Sequence, residues 1–167
     1  MLSVATIHNK TDFAGMRKAG QLAAETLDMI AEHVKPGVTT ESLDKKCFEF
    51  ADKNNACIAP LYYKGFPKSV CTSINHVICH GIPSSRVLEE GDIVNIDVTV
   101  IVDGWHGDTS RMYKIGKINN KAQKLIDCTY EAMMLGINEI APNKKTGDIG
   151  NAIQTYSEAR SYSVVQD

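Results

Sequence analysis

Residues 95–113 read NIDVTVIVDGWHGDTSRMY, and the fold is decided by how this stretch is read. Two β-rich runs flank Asp103-Gly104, a dipeptide suited to the two-residue turn of a β-hairpin. With that turn, Val102 faces Trp105, Thr99 faces Asp108 and Asp97 faces Ser110. Strand alternation then sends Asp97, Thr99, Asp108 and Ser110 to one face, and Ile96, Val98 and Val100 to the other. Asp97 and Asp108 become diagonal neighbours, a separation of ~7–8 Å that side chains can close.

Two carboxylates converging on one face repel each other, and burial worsens the repulsion. A divalent ion between them relieves it. Carboxylate oxygens suit Mn, Co, Zn or Fe(II), and a pair of ions ~3.5–4 Å apart matches the spacing. The competing reading is a solvated polar face on a half-exposed sheet, and the pair by itself does not decide between them. His106, facing Ile101, has the parity of Asp108 and either lines the same face or is exposed at the turn.

Upstream, NHVICHGIP at 75–83 places His76 and His80 four apart. The β-rich context and the Gly81-Ile82-Pro83 run argue against a helical metal pair. His80, at a strand end before glycine, suits a proton or hydrogen-bond donor to a substrate, or is an ordinary satisfied histidine. The run YYKGFPKSVC at 62–71 gathers aromatics, Gly and Pro that either shape a small apolar pocket or cap the core.

The flanks have helical periodicity. Phe13, Met16, Ala23, Leu27 and Ile30 predict a helix from Asp12 to about Val34, with Thr11 as N-cap and Pro36-Gly37 as stop. A second helix follows Thr39 or Thr40, with Leu43, Cys47, Phe50 and Ala51 inward and Asn54-Asn55 as breaker. From Ala56 to Ile115 the period is two, broken by turns. Leu125, Ile126, Tyr130, Met133, Ile137 and Ile140 predict a helix over 121–140. Another runs from Thr146 to about Ala159, with Ile149, Ile153 and Tyr156 inward, and Ser163 to Val165 begins a strand. Helices flanking grouped strands predict an α+β fold with an antiparallel sheet.

Composition narrows the class. The 167 residues are 43% hydrophobic and 23% charged with net charge -2, which suits one globular domain and excludes a basic nucleic-acid or membrane footprint. No apolar run approaches the ~20 residues of a membrane span, and the N-terminus lacks a secretory pattern. The cysteines are 47, 57, 71, 79 and 128; five is an odd number and no CxxC occurs, so reduced thiols, each a small buried hydrophobe in a cytoplasmic protein, are expected.

Taken together, FPKSVC at 66–71, SIN at 73–75, CHGIP at 79–83, GDIVNIDVT at 91–99 and HGDTSR at 106–111 resemble type I methionine aminopeptidases in content, order and interval. MRKAG at 16–20 and IGNAIQ at 149–154 extend the resemblance over nearly the whole chain. Proline-specific peptidases and prolidases share the Asp pair but not the CHGIP run. The resemblance implies the pita-bread fold, two similar αβ halves around an antiparallel sheet, and a site for two divalent ions (Co, Mn, Fe or Zn). It implies that Asp97 and Asp108 are metal ligands, with Asp108 bridging, and that Thr99 supports them from behind. It implies His80 as the catalytic histidine beside the scissile amide, and Tyr63, Phe66 and Cys71 as lining of the methionine pocket. The implied activity is removal of the initiator methionine from nascent proteins in the cytoplasm, at or near the ribosome, with small residues preferred after the methionine.

The chain departs from the family at a few places. Phe66 stands where tyrosine is common, Pro60 where cysteine often sits, and His76 where an acidic residue is common. The family's other metal ligands, a histidine in a Gly-His-Gly run and two glutamates, are expected after Asp167. Residues 1–167 therefore read as the N-terminal portion of one catalytic domain. The alternative is a catalytically incomplete half that binds Met-starting peptides or needs a second chain for activity.

Overall fold

The structure is a computed structural model that describes residues 6–165. The chain forms two compact units that meet in sequence between Ile118 and Asn119. The first begins with helix α1, Lys10–Ala31, and helix α2, Thr40–Lys53. The predicted cap Thr11 is not the cap. Asn9 is: its side chain accepts from the amides of Thr11 and Asp12, and the Asp12 carboxylate accepts from the Asn9 amide, a reciprocal capping box. The helix also ends at Ala31, short of Val34. α2 is capped by the Thr39 hydroxyl, which accepts from the Ser42 amide, and ends where Asn55 turns to φ 56°.

Four strands follow, β1 (Cys57–Ile58), β2 (Cys71–Ile74), β3 (Ile93–Val102) and β4 (Trp105–Lys114). All pairings are antiparallel. β3 is central: β4 pairs along one side of it, while β2 and β1 share the other, at Val94–Asp97 and Val100–Ile101. The hairpin register is the expected one, with Asp97 opposite Ser110 and Thr99 opposite Asp108. The turn takes its conformation from Asp103 at φ 51° and Gly104 at φ 83°, the positive pair that a twist-matched two-residue turn demands.

One face of the hairpin is covered by α1. Ile96, Val98 and Val100 are fully buried with Ala19, Ala23, Leu27 and Ile30, and with Leu43, Cys47 and Ala51 of α2. Arg111 reaches Asp28 at 2.8 Å, and the Tyr113 hydroxyl donates to the Leu27 carbonyl at 2.6 Å. α1 lies close against β4 at Gly107, where a Cβ would lie 2.1 Å from the Ala19 carbonyl oxygen. Phe13 and Met16, expected inward, are each 47% exposed, because the buried stripe of α1 starts only at Ala19.

The second unit consists of α3 (Asn120–Asn138) and α4 (Thr146–Glu158). The large apolar residues expected to face inward from α3 are mostly exposed, including Tyr130 at 60% and Ile137 at 48%. The buried face is Cys128, Ala132 and Gly136. Small residues let the helices approach: a Cβ on Gly136 would meet Ile153 Cδ1 of α4 at 2.8 Å. Ser163 to Val165 forms no strand among the described residues. All five cysteines are free, but Cys57 and Cys79 are exposed rather than buried. Among the described residues no helix is long and apolar enough to cross a membrane.

Gly107→Ala and Gly20→Ala separate close packing from helix propensity. Gly107→Ala lowers unfolding free energy by about 1–3 kcal/mol, because backbone must move. Gly20→Ala, whose Cβ would meet nothing within 4 Å, raises it by about 0.5–1 kcal/mol. Denaturant titration of both variants reads the two signs, and equal effects contradict this packing.

Candidate metal centre

The face of the sheet opposite α1 carries the polar residues. Across β2, β3 and β4 the first row is Cys71, Asp97 and Ser110; the next is Thr99 and Asp108; the last is Ile101 and His106, with Cys57 on the far side. Direct neighbours in such rows lie about 4.5–5.5 Å apart at Cβ, and the diagonal Asp97–Asp108 pair about 7–8 Å. Asn95 and Ser110 satisfy each other across the end of this face at 3.3 Å. Among the described residues neither Asp97 nor Asp108 has a hydrogen-bond or ion-pair partner.

These rows floor a cleft of about 940 Å³. Asp97, Thr99, Asp108, His80 and His106 line it, and so do Tyr63, Phe66 and Cys71. The structure thus brings together every site residue marked in the sequence. His76 is elsewhere, on a smaller pocket with Asn75 and Val77. A crease of about 500 Å³ between α3 and α4 contains none of the marked residues.

His80 is not at a strand end. β2 stops at Ile74, and His80 sits in the returning loop at φ 55°. That loop is fastened at both ends. Asn75 donates from its side-chain amide to Asp92 at 2.8 Å and accepts from the Ile93 amide at 3.0 Å. The Thr72 amide donates to the Gly81 carbonyl at 2.7 Å, and Gly81 donates to the Ser73 hydroxyl. A Cβ on Gly81 would lie 2.2 Å from the Thr72 carbonyl oxygen, so only glycine lets the loop press onto β2 and bring His80 to Asp97. The opposite rim, residues 59–67, leads into β2 through Asp44, which accepts from the Ser69 and Val70 amides at 2.7 and 3.1 Å.

Burial pushes the Asp97 carboxyl above its ordinary value, the charge of Asp108 pushes it further, and His80 opposes both. Burial raises the neighbouring Cys71 thiol to about 11, with Asp97, Cys79 and Asp108 adding to the rise, so without a metal ion Cys71 is a neutral, weakly polar part of the wall. Hard oxygen donors and mutual repulsion, with no lysine or arginine paired to either carboxylate among the described residues, fit a divalent ion held by Asp97 and Asp108. They fit part of a site, because no group of three or more ligating side chains occurs among the described residues, and a divalent ion takes four or more ligands.

The sequence matches the family described as metallopeptidase family M24 over residues 14–166. The chain belongs to that family. A curated M24 relative, the methionine aminopeptidase of Rickettsia prowazekii, is 62% identical over 161 residues, which are 96% of this chain and 62% of that protein. The crystal structure of methionine aminopeptidase from Rickettsia prowazekii superposes with a TM-score of 0.97 at 61% identity, over 98% of this chain and 66% of that one. The Xaa-Pro dipeptidase of Bacillus anthracis shares the fold alone, with a TM-score of 0.83 at 20% identity, over 93% of this chain and 42% of that one. The α+β fold is therefore the pita-bread fold of these peptidases, and the chain spans about 62% of the length of the curated relative.

Sequence reasoning overlooked Ile101, Ala59, Ile82 and Lys64, which also line the cleft. Ile101 was readable, since it shares the parity of Asp97 and Thr99. The others depend on how loops return to the sheet.

A carboxyl with a folded pKa above its unfolded one takes up a proton on folding in the window between the two values. Its ionised form therefore costs stability at every higher pH. Without divalent ions, Asp97→Asn raises Tm at about pH 7, and the gain fades as pH falls toward the unfolded Asp value of about 3.9. A thermal melt series across pH reads this. A gain independent of pH, or a loss at neutral pH, contradicts the electrostatics.

Proposed function

We propose that this chain carries the methionine-recognising side of a metal-dependent aminopeptidase that removes the initiator methionine from nascent proteins. The observation that carries the reading is the single cleft that joins Asp97, Asp108 and His80 to Tyr63, Phe66 and Cys71. The 62% identity to a methionine aminopeptidase supports the substrate.

In this reading Asp97 and Asp108 hold two divalent ions, Co, Mn, Fe or Zn, together with ligands from outside the described residues. Bound there, the ions supply Lewis acidity and a water of lowered pKa. Thr99, directly opposite Asp108 on the ladder, steadies the carboxylates. His80 donates a hydrogen bond to the oxygen on which charge develops as the first peptide bond is broken. Tyr63, Phe66 and the neutral Cys71 enclose the methionine side chain, where sulfur–aromatic contact and apolar burial favour a thioether. The missing hydroxyl at Phe66 and the ring of Pro60 tune this pocket. The place of action is the cytoplasm, at nascent chains emerging from the ribosome.

The test is methionine release from Met-Ala-Ser in Co(II) or Mn(II), by this chain or by any longer protein that contains it. Release falls at least about 100-fold in Asp108→Asn. An Ala-Pro peptide is not cleaved. Preferential cleavage of Ala-Pro, or an unaffected Asp108→Asn, overturns the reading. If this chain releases no methionine and a longer protein does, the chain is the incomplete half and the ligands outside it complete the site.

A further inference from the structure

The rim of the cleft is built by an unusual backbone. Tyr62, Lys64 and Gly65 all have positive φ, at 66°, 47° and 84°. Only glycine adopts this region freely, so Tyr62 and Lys64 are held there by the turn around them. The turn is closed by four hydrogen bonds: Tyr62 amide to Phe66 carbonyl at 2.7 Å, Phe66 amide to Tyr63 carbonyl at 2.9 Å, Tyr63 amide to Pro60 carbonyl at 3.0 Å, and Gly65 amide to Tyr62 carbonyl at 3.3 Å. The result sets Lys64 on the lining of the cleft, its ammonium 5.4 Å from the Tyr63 ring centre.

Among the described residues Lys64 is the sole lysine or arginine lining this cleft. It is exposed, and among the described residues no carboxylate pairs with it. Among the described residues it makes no ion pair with Asp97 or Asp108. By contrast Lys68, four residues on, is consumed by Glu41 at 2.6 Å. The cleft therefore has a carboxylate floor, suited to divalent ions, and a separate positive rim. With the amino end of a peptide at the ions held by Asp97 and Asp108, as proposed above, the positive rim is complementary to a carboxylate further along.

We infer that Lys64 is a specificity-determining residue that receives a carboxylate of the peptide downstream of its N-terminal residue. The carboxylate is the free C-terminus of a short peptide or the side chain of an acidic residue. This inference rests on the peptide reading above and adds a preference to it. The pair forms at an open rim, so its effect is modest and weakens with salt.

The experiment uses this chain, or a longer protein that contains it, loaded with Mn(II), and measures Kd, or KM from initial rates where the peptide is cleaved, for Met-Ala-Ser, Met-Ala-Ser-amide, Met-Ala-Glu-amide and Met-Ala-Gln-amide. Each carboxylate peptide binds about two- to fivefold more tightly than its neutral counterpart at low salt, and the ratio shrinks as salt rises. Comparison of the first pair reads the free terminus, and of the second pair the side chain. Lys64→Arg keeps the preference, Lys64→Gln brings the ratio to about one, and Lys64→Glu reverses it toward Met-Ala-Lys-amide. Equal affinities for all four peptides, or a preference that survives in Lys64→Gln, overturns this inference and leaves the peptide reading standing. Failure of both the unaltered chain and a longer protein that contains it to bind any of the four overturns both.

Discussion

Asp103 and Gly104 both sit at positive φ, and the turn they make determines which residues of two ten-residue strands share a face. Slippage by one residue would turn every side chain of one strand over. If β4 turned, Asp108 would point at α1; if β3 turned, its hydrophobic row would meet water. The chemistry of the chain is thus tied to a short local element, and the core enforces the same register from the other side. Ile96, Val98 and Val100 are buried to 0% exposure, so the strand has one acceptable orientation.

That orientation leaves a cost on the open face. Two carboxylates stand on one diagonal, paired with no lysine or arginine among the described residues, and burial adds to the cost that His80 only partly offsets. A fold optimised only for stability replaces one of them with an amide or an alcohol. Keeping both makes sense where an ion is to be held, which is the trade of stability against function seen at binding sites generally. The loops then bring in the remaining groups: the Gly81 contact sets His80 against β2, and the positive-φ turn at 62–65 sets the aromatic wall and Lys64.

The hairpin was legible because its signals are local. A period of two and an Asp-Gly turn specify register without reference to anything distant, and the placements of Asp97, Thr99 and Asp108 follow. Most helices were legible for the same reason. What escaped had non-local causes. His80 owes its position to Asn75, Asp92 and a glycine pressed on Thr72, none of which periodicity encodes. In α3 the large apolar stripe drew attention, yet the buried face is the small one, because close helix approach selects Gly136 and Ala132. Ser163 to Val165 has the composition of a strand but no ladder partner among the described residues. Residues 62–71 read equally as a pocket wall or a core cap in the sequence, and the structure puts Tyr63, Phe66 and Cys71 on the lining of one cleft with His80, Ile82 and the sheet.

The central claim is that the hairpin face is a divalent-ion site. Substoichiometric Mn(II) added to isotope-labelled protein tests it most directly, because the paramagnetic ion broadens amide resonances according to distance. The account predicts that resonances of Asp97, Thr99, Asp108 and the loop around His80 are lost first, and that Asp108→Asn abolishes the selectivity. Broadening that begins at acidic residues elsewhere, such as Glu89 and Glu90, or that is unchanged in Asp108→Asn, contradicts it.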